Sequence, residues 1–363
     1  MPRYSERMNI AFVSASAAAV LALLGSAPQT AANIAQRHVA AIGGHDRVAA
    51  LTSLSYTGVY REGGFTFAAS QTYMRPYYET VDPHLKPAIM EGYDGRPWEY
   101  YAEYGVVLRT SGAPAMATTH ASEFDDSLVD YAAKGSHIAL AGTAAIQGRG
   151  AFEILVTLRD GFKKHLYVDE KTYLIVASRQ TAKLHAFGAG VASLSLLGGY
   201  RRVAGVLVPT TSREVDIATG KEINRLTWTN VVANRSISVS TFSPPRYVRS
   251  PLSALLEDLY DHRGDVRYDV QAYDSFRRLA PDVNTDFAIE FIGYQILKTG
   301  VSASPVALLA KNARAYPKSA DAQFGLGRAY RTAGLSRLAV AAFRRALRID
   351  PKYARARDAL KQP

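Results

Sequence analysis

The sequence predicts an α+β protein: a strongly curved antiparallel half-barrel with a helical lid, followed by C-terminal α-helical repeats. Three observations predict this class. Short segments with alternating apolar residues fill the chain from about residue 53 to residue 232, as expected of antiparallel strands. Beyond Pro251 the alternation stops and apolar residues recur at helical spacing. The 22 tyrosines, against 13 phenylalanines and 2 tryptophans, favour sheets with amphipathic aromatic walls over a helical bundle.

Composition restricts the chemistry of this 363-residue chain. Because it has no cysteine, it has no disulfide, thiolate zinc site, iron–sulfur cluster or cysteine nucleophile. Its net charge of +11 is concentrated near the C-terminus, since residues 316–363 hold 11 Lys and Arg against 3 Asp and Glu. This distribution argues against nucleic-acid binding by the whole chain and favours a basic docking surface at the C-terminal end.

Residues 1–32 are predicted to be a secretory signal peptide. Two arginines precede an apolar run, Ile10–Leu24, and Thr30 and Ala32 suit the −3 and −1 positions of a signal-peptidase site. The run is shorter than the roughly 20 residues of a membrane span. We therefore expect a periplasmic protein that is cleaved at this site. Cleavage after Ala27 and a retained membrane anchor are the alternatives.

Residues 33–245 are predicted to form the half-barrel domain. A short helix opens it and ends at Gly43-Gly44, and a second helix is expected over Thr119–Ala133. A sheet of this size curls, and its apolar face must be covered by these helices or by a ligand. The predicted strands are Ser53–Tyr60, 65–73, Pro76–Val81, Pro97–Tyr101, Val106–Arg109, Phe152–Leu158, 166–168, 173–175, Val191–Tyr200, Val206–Asp216 and Ile223–Val232.

Residues 33–243 also carry a series of short motifs at turns and strand ends. Among them are Ala40–Gly44, Tyr56-Thr57-Gly58, Tyr93-Asp94-Gly95, Leu128–Tyr131 and Tyr167-Val168-Asp169. Their order resembles that of the LolA-like domains, the periplasmic lipoprotein carriers and their lipid-binding relatives. The resemblance implies an incomplete, strongly bent barrel with helices as a lid, an apolar pocket beneath, and binding rather than catalysis.

The resemblance also suggests which side chains line that pocket and hold an acyl chain of a lipid or lipoprotein, or another apolar ligand. The alternative is an ordinary closed core, because an aromatic stripe is core in any β-protein. The candidate pocket residues are Tyr56, Phe65, Phe67, Trp98, Phe124, Leu128 and Trp228.

Residues 252–363 are predicted to be a separable helical domain that begins with helices over Leu252–His262 and Tyr268–Leu279. The pair Ile292-Gly293 recurs 34 residues later as Leu326-Gly327, which resembles the spacing of tetratricopeptide (TPR) repeats.

The two repeats differ in quality. The copy over 286–319 is degenerate, with Pro305 at a position usually held by alanine, whereas the copy over 320–353 is clear. Repeats of this kind imply docking of a protein partner. The repeat region also carries three arginines that are candidates for binding an acidic partner or anionic lipid headgroups, as a peripheral membrane contact. They are Arg344, Arg345 and Arg348, and the alternative is a solvated helix surface.

No motif for catalysis or for metal or cofactor binding is found. The eight histidines form no HExxH pair, no GK[ST] follows the glycine pairs, and no GxSxG or SxxK occurs. Asp125, Asp126 and Asp130 suit an acid–base set or, more simply, the negatively charged start of a helix. The sequence thus predicts a carrier with no cofactor. The alternative is a non-enzymatic TPR scaffold, or an accessory of an exported hydrolase, with no ligand pocket.

Overall fold

A computed structural model of the protein describes residues 29–75, 78–82, 89–183 and 190–361. The apolar run Ile10–Leu24 of the predicted signal peptide lies outside these residues. Over the described ranges, a sheet-rich part up to Ala233 is joined to a helical part by a linker that contains a single 3₁₀ turn, Val239–Phe242. The predicted α+β class is confirmed.

Within the described residues, the sheet-rich part has three helices and fifteen strands. The helices are α1 (Ala31–Ile42), α2 (His45–Ala49) and α3 (Gly112–Ala121). The strands are β1 (Ser53–Glu62), β2 (Phe65–Met74), β3 (Tyr78–Asp82), β4 (Ile89–Tyr93), β5 (Pro97–Tyr101), β6 (Val106–Arg109), β7 (His137–Ile146), β8 (Arg149–Thr157), β9 (Lys163–Asp169), β10 (Ile175–Lys183), β11 (Gly190–Gly198), β12 (Arg201–Val203), β13 (Val206–Val208), β14 (Thr211–Asp216) and β15 (Glu222–Ala233).

Thirteen of the described strands form one antiparallel sheet. Their order is β6-β5-β4-β3-β2-β1-β15-β14-β11-β10-β9-β8-β7, so β6 and β7 are the two edges and the sheet stays open. The remaining pair, β12 and β13, makes a separate hairpin. The first and last strands of the sheet in chain order, β1 and β15, pair at its centre, so the two ends of this part of the chain lie side by side.

Two adjacent residues show how strongly the sheet is bent. Leu128 packs in one core with Ile154 of β8, whereas Val129 packs in another with Tyr56 of β1 and Trp228 of β15. In a flat sheet β8 and β15 would lie about 24 Å apart, at about 4.8 Å per strand. Leu128 and Val129 can contact β8 and β15 at the same time only if the sheet folds around them. Register shifts in several strand pairs are β-bulges that bend the strands locally.

The segment after α3 is not the helix that the sequence predicts over Thr119–Ala133, and that prediction is wrong. The chain leaves the helix early and runs irregularly through residues 122–136. The carboxylate of Asp126 accepts a hydrogen bond from the backbone N–H of Leu128, and Asp130 has a φ of 48°. Both features interrupt a helix, because the first diverts an amide from the helical pattern and the second is a left-handed conformation.

The linker and the helical part protect the outer face and the β6 edge. The indole N–H of Trp98 donates to the carbonyl oxygen of Phe242 at 2.8 Å, and both rings are fully buried. On β6, the backbone N–H of Val107 donates to the carboxylate of Glu257 at 3.0 Å. A strand edge blocked in this way is less available for pairing with another chain.

The helical part is continuous with the sheet. Its described helices are α4 (Pro251–Asp261), α5 (Val266–Leu279), α6 (Asp286–Lys298), α7 (Ala303–Ala315), α8 (Ala320–Thr332), α9 (Ser336–Ile349) and α10 (Ala354–Lys361). Tyr101, Val106 and Leu108 of β5 and β6 share one buried core with helices α4 to α8. Helices α6 and α7 occupy the first predicted repeat and α8 and α9 the second; their assignment as TPR repeats stays a prediction.

Helices α8 and α9 approach closely because Gly327 has no side chain. A Cβ atom at this position would lie 2.5 Å from Cε1 of Phe343, whose ring is fully buried. We expect Gly327→Ala to lower the free energy of unfolding by about 1–3 kcal/mol, as overpacking does, although alanine favours helix. Urea unfolding followed by circular dichroism measures this loss. Phe343→Leu in the same chain should recover part of it, and a fully stable Gly327→Ala protein would contradict the close packing.

Candidate functional site

Aromatic side chains form a strip along the inner face of β1, β2 and β15. Tyr60 lies opposite Phe67, and Gly58, between Tyr60 and Tyr56, lies opposite Trp228, so the register places all four rings on one face. Ring centroids are 5.3 Å apart for Tyr56 and Trp228 and 5.0 Å apart for Tyr60 and Phe67. We call Tyr56, Tyr60, Phe67 and Trp228 the aromatic strip.

The aromatic strip runs from the core to the surface. Tyr56 and Trp228 are 8% and 7% exposed, whereas Tyr60 and Phe67 are half-buried. Phe65 continues the same face at the β1–β2 turn and is 73% exposed. The strip therefore consists of two ring pairs on one face. The outer pair lies near solvent, where the Tyr60 hydroxyl donates to Glu62, and the inner pair is enclosed by the protein's own side chains.

Helix α1 and residues 122–136 lie over the inner face, and we call them together the cover. Phe124 of the cover packs with the buried end of the strip, and Leu128 packs with Ile34 of α1 against β8 and β9. The irregular half of the cover has few backbone hydrogen bonds of its own to hold its shape. Two polar contacts, one from a side chain at the end of β2 and one from α1, hold this segment in place.

The first contact joins Arg75 at the end of β2 to Asp125. The guanidinium group donates to both carboxylate oxygens of Asp125, one of them at 2.9 Å. It also donates to the carbonyl oxygens of Val48 and Leu51, both at 2.8 Å, and lies 4.4 Å from the ring centre of Phe124. A bidentate arginine–carboxylate pair of this kind fixes both the position and the angle of the segment.

The second contact joins His38 of α1 to Asp126. Nε2 of the imidazole lies 3.0 Å from the Asp126 carboxylate and Nδ1 lies 2.7 Å from the carbonyl oxygen of Tyr173. Burial alone would lower the pKa of His38, but the Asp126 charge and these hydrogen bonds raise it above 6.5. Burial likewise opposes ionisation of Asp126, yet His38 and the backbone N–H of Leu128 hold its pKa down to about 2.

Three clefts lie at the cover or beside α3. A groove of about 480 Å³ lies between α1 and residues 128–133 and is lined mainly by small apolar side chains, with Leu128 at its floor. Two further clefts, of about 440 and 550 Å³, share Thr119 and Asp160 beside α3. These two hold more charged side chains than the groove at α1, with Lys134 and Arg159 in one and Arg96 and Arg109 in the other.

The structure brings six of the seven candidate pocket residues to the inner layer. Tyr56, Phe67 and Trp228 belong to the aromatic strip, Phe65 extends it, and Phe124 and Leu128 are in the cover. Trp98 is the exception. The paired positions Ser55, Thr72, Thr80, Gly92 and Trp98 run across the opposite face of the sheet.

Trp98 is therefore corrected to the outer face, beneath the linker. The face on which Trp98 lies was not evident from β5 alone, because both faces of this strand carry aromatic residues, Trp98 and Tyr100 on one and Tyr101 on the other. The three aspartates of the predicted acid–base set are not at a helix start either. Asp125 and Asp126 anchor the cover, and Asp130 lies 3.2 Å from Nε2 of His45.

Sequence reasoning missed the residues that hold the cover. Arg75 follows an ordinary strand, and nothing near it in the sequence points to a partner 50 residues away. His38 carries a weak signal, since it falls at helical spacing with Ile34 and Ile42 on the apolar side of α1. A histidine in such a row needs a polar partner when it is buried.

The described residues hold no cluster of three or more His, Cys, Asp or Glu side chains that would bind a metal ion. Among the same residues, no helix is long and apolar enough to cross a membrane. The arginines that the sequence names for partner binding, Arg344, Arg345 and Arg348, lie exposed on α9.

No family profile and no curated protein sequence matches this chain. Among solved structures it is similar to a LolA superfamily protein from Nitrosomonas europaea, at 14% identity and a TM-score of 0.41 over 60% of this chain and 98% of that one. A putative outer membrane lipoprotein-sorting protein domain from Vibrio parahaemolyticus aligns at 12% identity and a TM-score of 0.41, covering 58% and 95%. A DUF1329 family protein from Desulfovibrio piger aligns at 14% and 0.39, covering 59% and 97%.

We expect the His38–Asp126 pair to stabilise the protein most between about pH 4 and 6.5. Its contribution fades as pH falls from 3.8 towards the folded pKa of Asp126, about 2, and as pH rises through the raised pKa of His38. Asp126→Asn should therefore cost about 2 kcal/mol near pH 5.5, the size of a charged hydrogen bond, and less at pH 8.5. Urea unfolding at each pH measures the difference. The exposed Asp282, changed to Asn, is the control, and a loss at Asp126 that is equal at all pH values would contradict an ionic pair.

Proposed function

We propose that this chain is an exported, non-enzymatic binding protein that carries an acyl chain or another apolar ligand on the inner face of its half-barrel. Its helical part docks a protein partner in this proposal. The observation that carries the proposal is the aromatic strip, whose two pairs of packed rings share one face, with exposed Phe65 at the β1–β2 turn and buried Trp228 at the other end. A core that served stability alone would gain nothing from an aromatic track that continues to the surface.

Ligand entry requires the cover to move, because Tyr56 and Trp228 fill the inner end of the strip by packing on each other. The cover suits this role, since polar contacts at its margins, Arg75–Asp125 and His38–Asp126, hold its irregular half. Water replaces such charged hydrogen bonds at modest cost, typically about 2 kcal/mol each. An acyl chain then covers the apolar face, at about 0.8 kcal/mol for each buried methylene group.

Titration with a fluorescent 16-carbon fatty acid tests the proposal. We expect saturable binding to the wild type and at least tenfold weaker binding to Phe67→Asp, which places a charge on the strip. Thr66→Asp is the matched control, because Thr66 is the exposed neighbour on the other face of β2 and adds the same charge. The Arg75→Gln variant should bind the fatty acid faster, because loss of the Arg75–Asp125 contact loosens the cover.

The outcomes separate the carrier from its rival. A specific observation favours the rival: the inner end of the strip is packed with the protein's own side chains, as in a closed scaffold. If the wild type takes up no fatty acid, or if Phe67→Asp and Thr66→Asp weaken binding equally, the carrier proposal fails. The scaffold, with the helical part as its only binding region, then replaces it.

Export is tested by sequencing the N-terminus of the mature protein. The signal pattern predicts a start at Asn33, but α1 begins at Ala31, and the side chain of Thr30 accepts a hydrogen bond from the backbone N–H of Asn33. A chain that starts at Pro28 keeps this cap and should be about 1 kcal/mol more stable than one that starts at Asn33. Either start supports export, whereas an intact Met1 in a membrane fraction contradicts a cleaved signal.

A further inference from the structure

We propose that the outward face of α9 docks the protein on an anionic phospholipid surface. This face carries Arg337, Arg344, Arg345 and Arg348 together with Leu338, and we call these five residues the α9 stripe. Arg337, Arg344 and Arg348 are spaced at i, i+7 and i+11, so they share one side of the helix. The buried side of α9, formed by Ala339, Ala342, Phe343 and Ala346, lies opposite.

The α9 stripe is a surface of one charge. All four arginines are exposed, and no ion pair among the described residues involves them. The three acidic residues of 316–363 are occupied elsewhere. Asp321 binds Tyr353 and Arg355, Asp350 accepts from the backbone N–H of Lys352, and Asp358 pairs with Lys361. The four positive charges therefore stand uncompensated over about 16 Å of helix, at 1.5 Å per residue.

Exposed leucines lie beside the arginines and favour a lipid surface over an acidic protein as the partner. Leu338, within the stripe, is 48% exposed, and Leu335, one turn before it, is 43% exposed. A soluble acidic protein would neutralise the arginines but gain little from isolated leucines on a convex helix. A lipid surface uses both, because guanidinium groups bind phosphate and leucines enter the boundary between headgroups and acyl chains. The observations thus favour a membrane surface, and this inference does not depend on ligand binding by the half-barrel.

Co-sedimentation of the full chain with phospholipid vesicles tests the proposal. We expect binding to vesicles that contain 30% phosphatidylglycerol at low salt, little binding to pure phosphatidylcholine, and strong weakening at 0.5 M salt. Each arginine near an anionic surface contributes about fivefold to binding. Arg344→Gln, Arg345→Gln and Arg348→Gln together should therefore reduce partitioning roughly 100-fold. Leu338→Ser should reduce it severalfold at both salt concentrations.

The matched control removes the same charge from another part of the surface. Arg149, Lys163 and Lys171 are exposed on or beside β8 and β9, and their change to Gln also lowers the net charge by three. All variants keep the same N-terminus, so any membrane affinity of that segment is common to them. Equal loss in the control and stripe variants would overturn the proposal. So would an equal affinity for soluble polyglutamate with no effect of Leu338→Ser, because an acidic protein would then be the better partner.

Discussion

The inner face of the sheet must be kept from water, and the cover lies over only part of it. Thirteen strands present that face, and the cover is one helix of twelve residues and one irregular segment. The β12–β13 hairpin packs in the same core as Tyr56 and Trp228, and helices α4 to α8 pack on the inner face of β5 and β6. Bending solves the problem, because a folded sheet brings distant strands to the same small cover. The adjacent residues Leu128 and Val129 can then each complete a different core. The β-bulges and the glycine at the β1–β15 crossing follow from this need, since a Cβ on Gly58 would meet the Thr227 carbonyl.

The polar groups beneath the cover follow from its irregular backbone. A segment without helix or strand hydrogen bonds needs side chains to fix it, and Arg75 and His38 fix this one through Asp125 and Asp126. Two neighbouring aspartates and a histidine with a raised pKa resemble an acid–base site. Their oxygens and nitrogens are nevertheless engaged with one another and with backbone groups, which assigns them to holding the cover. The same contacts decide how readily the inner face opens.

Sequence patterns predicted the elements whose structure depends on residues close together in the chain. The alternation along β1, β8 and β15 predicted strands, and the 34-residue recurrence over 286–353 predicted pairs of helices where the structure has α6 to α9. The helix predicted over Thr119–Ala133 is absent because contacts with distant residues, Arg75 and His38, set the backbone of this segment. The helical spacing of its apolar residues does not reflect a helix. Trp98 was included among the pocket candidates for a related reason. The face on which Trp98 lies follows from the register of the four strand pairs between β1 and β5. The sequence of β5 alone does not contain this information.

The change from strands to helices near residue 250 is not a boundary between two cores. Tyr101, Val106 and Leu108 of the sheet edge are buried together with Leu256, Ile292 and their neighbours from the helical part. Glu257 also occupies the free N–H of Val107, and Tyr247 and Arg249 of the linker hold that carboxylate in place. Without the helices, an apolar edge strand would face water and other chains. The helical part therefore completes the sheet as well as extending the molecule. Helix α9 packs on α8, and α8 shares the core of β5 and β6, so packed side chains connect α9 to the sheet.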